Sequence, residues 1–304
     1  MNLTNASFFD LSRYAHASLF VAEEYPWQAL VRLKAYMAEY PWPQIAWPQT
    51  PGPLPATLVL HDMLLMEAGD LAIEFGDATK GKLKVFKNGA LLEGASVLMA
   101  GVVLAGGPLS IGRGVLVESG AFIKGPVIIG DQSEIRQGAY LRGHCLVGAR
   151  CVVGHVTEVK HAIFLDDAKA GHFAYLGDSI LGNEVNLGAG TKLANLRFGG
   201  GDVPVKTPVG TISSGLRKFG AILGDKVQTG CNTVTNPGTV LGRKSLVLPN
   251  TTVPSGWHPD NSLIRAKVNA RQHSPNKRAK KPPLRGTVAA KPPRSSQKNG
   301  QARG

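Results

Sequence analysis

Residues 109–165 read LSIGRGVLVESGAFIKGPVIIGDQSEIRQGAYLRGHCLVGARCVVGHVTEVKHAIFL, and an aliphatic side chain recurs there at every sixth position. This series is Ile111, Val117, Ile123, Ile129, Ile135, Leu141, Val147, Val153, Val159 and Leu165. The residues two positions earlier in each hexapeptide, from Leu109 to Ile163, are mostly small or β-branched. A spacing of six matches neither the period of an amphipathic helix nor the alternation of a half-buried strand. It is typical of a β-structure built from hexapeptide repeats.

In such a structure each hexapeptide forms one side of a triangular coil, with two side chains pointing inward, and three hexapeptides complete a turn. The coils stack at the strand spacing of about 4.8 Å. The pattern resumes at Leu223, Thr229, Thr235, Leu241, Val247 and Val253. The sequence therefore predicts a mainly β chain whose centre is a left-handed parallel β-helix. Cys145 and Cys151 fall in the small inward position, so we expect them to pack in the core.

The segments outside the repeat divide the chain into three regions. Residues 1–56 are expected to contain a helix over 26–40, with Pro26 at its start, and a proline-rich linker. Residues 57–265 are expected to form the β-helix, with a loop at 196–220 that contains three consecutive glycines. Residues 266–304 are rich in Lys, Arg, Pro and Ser and nearly free of large apolar side chains, which predicts a basic disordered tail.

The net charge of +13 is concentrated in this tail. Eleven of the 34 Lys and Arg residues lie in 266–304, which holds no Asp or Glu, so 23 basic and 21 acidic residues remain elsewhere. A nearly neutral body argues against specific recognition of a nucleic acid, although the tail can hold polyanions loosely. No apolar run is long enough for a membrane span. Three cysteines and no signal-peptide pattern indicate a reduced, cytoplasmic protein.

A coil of three hexapeptides places Lys124, Arg142 and Lys160 above one another on one side of the helix. Like charges on successive coils repel each other unless an anion or spread side chains relieve them. The column is therefore either a phosphate site or an exposed face of solvated side chains.

His172 lies three hexapeptides after Gly154, so we expect an open space beside its imidazole. The repeat slips by one position between Leu165 and Leu176, and such a bulge can re-aim a side chain. Histidine is suited to base chemistry near neutral pH. The alternative is a histidine that is merely hydrogen-bonded at a bulge.

A longer motif includes these residues. It consists of Glu158-Val159-Lys160, Lys169-Ala170-Gly171-His172, Tyr175-Leu176-Gly177-Asp178 and Asn186-Leu187-Gly188-Ala189-Gly190-Thr191, and it ends at Asn195. Over about residues 140–195 the chain closely resembles the acetyltransferase domain of bacterial N-acetylglucosamine-1-phosphate uridyltransferase. The resemblance is weaker over 109–139 and 221–265. It implies a left-handed β-helix, a homotrimer with sites between neighbouring β-helices, and transfer of an acetyl group from acetyl-CoA to glucosamine-1-phosphate.

The resemblance also implies roles for individual residues on the acceptor side. His172 corresponds to the general base, and Arg142 and Lys160 to the cations that bind the phosphate of the sugar. Tyr175 and Asn186 correspond to residues that contact the sugar.

Further correspondences concern the reacting groups and the acetyl donor. Asn195 matches the asparagine that positions the amine and the thioester. Ala189, within the turn 188–190, matches a backbone N–H donor near the acetyl group. Cys231 stands where the family commonly has serine near the donor, and Arg265 corresponds loosely to an arginine that meets the CoA phosphates. The resemblance implies no metal ion for the acetyl transfer.

The chain departs from the family pattern after Asn195, where Leu196-Arg197-Phe198 replaces Tyr-Asp-Gly and the loop is longer. Lys206 is the nearest candidate for the family's loop lysine. No segment before residue 90 matches the family's nucleotidyltransferase domain, so uridylyl transfer is not predicted, and a separate nucleotidyltransferase partner stays an open alternative.

Other functions fit the repeat as well. The acceptor could be another amino sugar or a sugar nucleotide, or the chain could be a non-catalytic trimeric scaffold that binds a sugar phosphate. A zinc carbonic anhydrase of the same fold would need three converging histidines, and His155, His161 and His172 do not form a convincing set.

Overall fold

The computed structural model describes residues 3–48 and 52–266, and the predicted parallel β-helix is confirmed. Three parallel ladders form the three faces of the helix. The first face consists of Ser96–Leu98, Leu116–Val117, Glu134–Ile135, Val152–His155, Lys169–His172, Asn186–Leu187, Gln228–Thr229, Leu246–Val247 and Leu263–Ile264. The second face consists of Val103–Leu104, Phe122–Lys124, Tyr140–Arg142, Glu158–Lys160, Tyr175–Gly177, Lys192–Leu193, Val234–Thr235 and Thr252–Val253. The third face consists of Leu109–Ile111, Val127–Ile129, Cys145–Val147, Ala162–Phe164, Ile180–Leu181, Ala221–Leu223, Thr239–Leu241 and Gly256–His258.

The inward side chains form one continuous apolar core. Cys145 and Cys151 are fully buried in it, as expected, and burial raises the pKa of the Cys145 thiol to about 12. Burial raises the pKa of the Cys151 thiol as well. Both thiols are therefore protonated at neutral pH.

The coils become one residue shorter earlier in the chain than the sequence predicted. Val127 pairs with Cys145 in a full coil of three hexapeptides, whereas Cys145 pairs with Ala162 and not with Ile163. The expectation that Ile163 and Leu165 point inward was wrong. Ala162 and Phe164 point into the core instead, because the corner between the second and third faces is one residue shorter there.

The third face is covered by the N-terminal region. Its outward side chains are Ile128, Leu146, Ile163, Ile180, Ile222 and Val240, and each is at most 2% exposed. They share a cluster with Trp27 and with the stripe Leu30, Leu33 and Met37. This region contains two α-helices, Asn5–Phe8 and Gln28–Ala38, and the 3₁₀ turn Ala17–Leu19. The longer helix begins two positions after Pro26, so the predicted helix is confirmed with shorter ends.

A small antiparallel sheet lies on the N-terminal coils of the first face. Its strands are Leu71–Glu74, Lys84–Lys87 and Ala90–Leu91, and the 3₁₀ turn Ala78–Lys80 joins the first two. Glu134 fixes this turn, because its Oε1 accepts a hydrogen bond of 2.9 Å from the N–H of Ala78. The strands Leu58–His61 and Leu64–Glu67 extend the first-face sheet antiparallel at its N-terminal end.

The segment 196–220 is not simply a loop. It contains the hairpin Pro204–Thr207 and Gly210–Ser213, and Val203, Val205 and Phe219 are buried in the cluster on the third face. These apolar side chains explain why the segment folds back on the β-helix instead of extending into solvent.

The domain boundaries at residues 56 and 265 stay a prediction, and the predicted tail beyond Ala266 lies outside the described residues. Within residues 3–48 and 52–266, no helix is both long and apolar enough to cross a membrane.

Candidate active site

A groove of about 360 Å³ runs along the first face and contains four of the predicted site residues. They are His172, Asn186, Ala189 and Cys231. The strands Lys169–His172 and Asn186–Leu187 supply the floor, and Cys231 comes from the next coil. The turn between the first two strands of the small antiparallel sheet contributes one wall through Asp77 and Thr79.

The surroundings of His172 differ from the expected open space above Gly154. The structure pairs His172 with His155, which follows Gly154 on the preceding coil. Gly154 instead packs against the backbone of Gly171, because a Cβ built on Gly154 would lie only 1.8 Å from the Gly171 oxygen. His172 ends its strand at a corner of the helix, exposed to solvent.

The turn 188–190 lines the groove and contains one backbone donor that is not used within the described residues. The N–H of Gly188 bonds to the Thr229 oxygen at 2.8 Å, and the N–H of Gly190 bonds to the His172 oxygen at 3.0 Å. The N–H of Ala189 has no hydrogen-bond partner among the residues that the structure describes. This free N–H fits the donor position that the resemblance implies.

The second face carries three more of the predicted residues, Arg142, Lys160 and Tyr175, and Asn195 follows the second-face strand Lys192–Leu193 by two positions. Lys124 and Arg142 pair in register, and the pairing of Leu141 with Val159 extends the column to Lys160. The cation column is thus confirmed as a geometric feature. Gly177 pairs with Lys160 on the next coil, so the column of cations ends at Lys160.

Two carboxylates of the chain itself relieve the repulsion in this column, and the sequence did not predict which residues supply them. Arg142 Nη1 lies 2.5 Å from Glu158 Oε1, and Lys160 Nζ lies 3.5 Å from Asp178 Oδ2. The guanidinium of Arg142 also stands 5.6 Å from the centre of the Tyr140 ring. Lys124 makes no ion pair with any residue in the described part of the chain.

Asp178 connects the column to Asn195. Its Oδ2 accepts a hydrogen bond of 2.6 Å from Asn195 Nδ2, and its Oδ1 lies 2.9 Å from His161 Nδ1. Burial works against ionisation of Asp178, but the hydrogen bonds from His161 and Asn195 and the charge of Lys160 outweigh it. The pKa of Asp178 is therefore lowered, and the carboxylate is charged at neutral pH.

Tyr175 lies beside this network. Its hydroxyl donates to Asn195 Oδ1 over a long 3.5 Å. Burial and the nearby charges of Glu158 and Asp178 raise the pKa of Tyr175, so its hydroxyl stays protonated and can donate a hydrogen bond.

The two halves of the candidate site lie on adjoining faces of the helix. His172 ends a first-face strand, and Tyr175 begins the next second-face strand. Three residues span at most about 10 Å, so the backbones of His172 and Tyr175 are neighbours. Lys160 pairs with Gly177 at the other end of that strand, so the two cations lie across the second face, toward its corner with the third face.

Arg265 and Lys206 do not join these groups. Arg265 is exposed beyond the last first-face strand, three coils after Leu187. Lys206 is exposed on the hairpin that covers the third face.

Sequence reasoning missed several residues at the site. Asp178 and Glu158 belong to the motif quoted above. Each lies about one coil after a cation, and this spacing could have indicated the two ion pairs. Arg136 and Lys169 line the groove at outward positions of the first face. Asp77 and Thr79 had no signal, because they come from a sheet outside the repeat.

Across residues 3–48 and 52–266, no group of three or more His, Cys, Asp or Glu side chains could hold a metal ion.

The β-helix region of this chain is similar in sequence to parts of known proteins. Residues 123–253 match the family model of the GMPPB C-terminal domain. A "Bifunctional sugar-1-phosphate nucleotidylyltransferase/acetyltransferase" of Sulfurisphaera tokodaii is 41% identical over 101 residues, which are 33% of this chain and 25% of the relative. A "Bifunctional protein GlmU" of Methanococcus vannielii is 41% identical over 99 residues, which are 32% of this chain and 23% of the relative. The sequence resemblance to the bifunctional enzymes is therefore confirmed, and the chain spans about a quarter of their length.

Among solved structures, an Arabidopsis UDP-N-acetylglucosamine acyltransferase matches 56% of this chain and 69% of its own, with 12% identity and a TM-score of 0.28.

Proposed function

We propose that this protein is a hexapeptide-repeat acyltransferase that uses acetyl-CoA to acetylate the amine of an amino-sugar phosphate, glucosamine-1-phosphate or a similar compound. The observation that carries the proposal is that the groove around His172 and the cations Arg142 and Lys160 lie on adjoining faces, with Tyr175 at the start of the second-face strand whose last residue pairs with Lys160. An imidazole and two cations on adjoining faces suit an acceptor that carries both an amine and a phosphate. The similarity to the sugar-1-phosphate nucleotidylyltransferase/acetyltransferase supports the same chemistry.

The reaction needs a base, an acceptor nitrogen and a donor to the thioester oxygen. His172 takes a proton from the amine as the nitrogen attacks the thioester carbonyl. The N–H of Ala189 donates to the oxygen on which negative charge develops. A C–N bond forms and the C–S bond breaks, and the CoA thiolate leaves and receives a proton.

The second face binds the acceptor. Arg142 and Lys160 hold its phosphate, with Glu158 and Asp178 fixing the two cations in the absence of the sugar. Tyr175 and Asn186 contact the sugar ring, and Asn195 orients the amine. Cys231 lies on the donor side of the groove, and Arg265 would meet the CoA phosphates only if a neighbouring subunit brought it close.

An acceptor screen tests this function directly. With acetyl-CoA and a panel of amino sugars, their phosphates and their nucleotide derivatives, we expect an amino-sugar phosphate to give the fastest release of free CoA thiol. A thiol reagent measures the release continuously. Preference for a sugar nucleotide would change the acceptor, and no release with any amino sugar would favour the scaffold and overturn the enzyme.

Replacing the arginine of the second face tests the phosphate site. Arg142→Ala is expected to raise the KM for the acceptor about tenfold or more with a smaller change in kcat, because it removes a charge-assisted contact. Lys124→Ala is the matched control, since Lys124 lies one coil away in the same column. Equal effects of the two substitutions would indicate that the column acts only through its overall positive charge. They would contradict a specific role for Arg142.

The homotrimer is part of the same proposal. The N-terminal region already covers the third face, so neighbouring subunits would have to pack against the first and second faces. Sedimentation equilibrium of the whole chain measures the mass of the assembly, and a monomer would contradict sites shared between subunits.

A further inference from the structure

We infer that Asp178 is a positioning residue that determines which end of the Asn195 amide faces the substrate, and that it holds Lys160 beside it. This inference rests on the proposed function and adds to it the control of two site residues by one carboxylate.

The two oxygens of Asp178 have separate tasks. Oδ1 faces His161 Nδ1 at 2.9 Å, whereas Oδ2 faces Asn195 Nδ2 at 2.6 Å and Lys160 Nζ at 3.5 Å. The side chain of Asp178 is only 7% exposed, and that of His161 only 13%. One oxygen is thus anchored in the buried corner, and the other points toward the candidate site.

The orientation of the Asn195 amide follows from hydrogen-bond chemistry. An ionised carboxylate only accepts hydrogen bonds, so the NH₂ group of Asn195 must face Asp178. The carbonyl oxygen of Asn195 then faces the side of Tyr175. This oxygen keeps a lone pair for an N–H of the acceptor amine, which orients the nitrogen for attack.

Gly177 provides the space that the arrangement needs. A Cβ at this position would lie 2.4 Å from Asn195 Nδ2 and 2.7 Å from the Tyr175 hydroxyl oxygen. Glycine therefore ends the cation column at the coil where Asn195 and Tyr175 must approach Lys160.

His161 holds the carboxylate from behind. Its Nδ1 carries the hydrogen of the bond to Asp178, since the carboxylate cannot donate. Its Nε2 is buried without a hydrogen-bond partner among the described residues, and the His144 ring stands edge-on at 6.1 Å. The corner therefore leaves the imidazole no other polar contact and directs it to Asp178.

The test is the isosteric substitution Asp178→Asn, assayed with acetyl-CoA and glucosamine-1-phosphate. We expect the KM for the sugar to rise about tenfold and kcat to fall about tenfold, because the new amide releases Lys160 and no longer forces the orientation of Asn195. Calorimetry with glucosamine-1-phosphate alone should give a similar loss of affinity. Asp166→Asn is the control for a merely structural aspartate, since Asp166 also sits at a corner, accepting a backbone hydrogen bond from Ala149 and pairing with Arg150.

A second pair of variants covers the case in which Asp178→Asn fails to fold. His161→Leu removes the donor to Oδ1 and is expected to raise the KM severalfold, and His161→Gln, which keeps a donor, should restore most of the affinity. If the wild-type protein is active and the KM and kcat of Asp178→Asn stay within twofold of it, this inference alone is overturned. Equal losses of affinity in His161→Leu and His161→Gln would also overturn this inference alone. A wild-type protein that binds and acetylates no amino sugar would overturn the proposed function and this inference together.

Discussion

His172→Ala lowers kcat by about two to four orders of magnitude, the range expected when a general base is removed. The imidazole lies at the end of a first-face strand and is exposed to the groove, so its loss removes no core contact. The variant should therefore keep the thermal stability and the mass of the wild-type assembly. Continuous measurement of CoA thiol release, at saturating acceptor and donor, gives kcat.

His155→Ala is the matched control for this substitution. His155 pairs with His172 on the preceding coil, but its Nδ1 faces the backbone oxygen of Gln137 at 3.0 Å and its ring contacts Phe173. We expect its kcat to stay within a few-fold of the wild type. If His172→Ala retains full turnover, or if both variants lose the same activity, His172 is not the base.

The sequence was sufficient to predict the β-helix, because the hexapeptide period depends on the inward side chains alone. It did not locate the coil at which one residue is lost, since Phe164 and Leu165 are both apolar and either one satisfies the core. The pairing of Cys145 with Ala162 decides between them, and it is a property of the folded corner.

The strand sequences contain a signal for the covered third face. Its strands Val127–Ile129, Cys145–Val147 and Ala162–Phe164 are apolar at every position, whereas the second-face strands Phe122–Lys124 and Tyr140–Arg142 end in a cation. Strands without a polar side are typical of sheets that are buried on both faces. The triplets therefore indicate that another segment covers this face, and the N-terminal region has the apolar side chains to do so.

The sequence predicted only part of the candidate site. The motif and the column identified the residues that approach the substrate in the family, and the coil register brought them to adjoining faces. The ion pairs of Glu158 and Asp178 were not predicted, because each carboxylate lies in a different column from the cation that it contacts. The position of Asp77 at the groove depends on the hydrogen bond by which Glu134 fixes the neighbouring turn. This contact lies outside the hexapeptide repeat, so the repeat could not predict it.

Gly154→Ala is expected to destabilise the fold by about 3 kcal/mol or more, which is at the upper end of the cost of overpacking a core. Its Cβ would lie 1.8 Å from the oxygen and 2.1 Å from the carbonyl carbon of Gly171, and backbone atoms cannot turn aside as a flexible side chain can. The strand Lys169–His172 must therefore move away, and it carries the imidazole with it. Chemical denaturation measures the loss of stability, and thiol release below the unfolding transition measures the accompanying loss of turnover.

Gly171→Ala provides the control for stability, because it introduces the same methyl group into the facing strand. A Cβ at Gly171 meets no atom within 4 Å, so the free energy of unfolding should change by no more than about 1 kcal/mol. The contrast depends on the pairing of these two strands, in which one Cβ position is directed at the neighbouring backbone and the other at open space. Equal stability of the two variants would mean that the strands do not approach in this register, and the placement of His172 at the corner would fail with it.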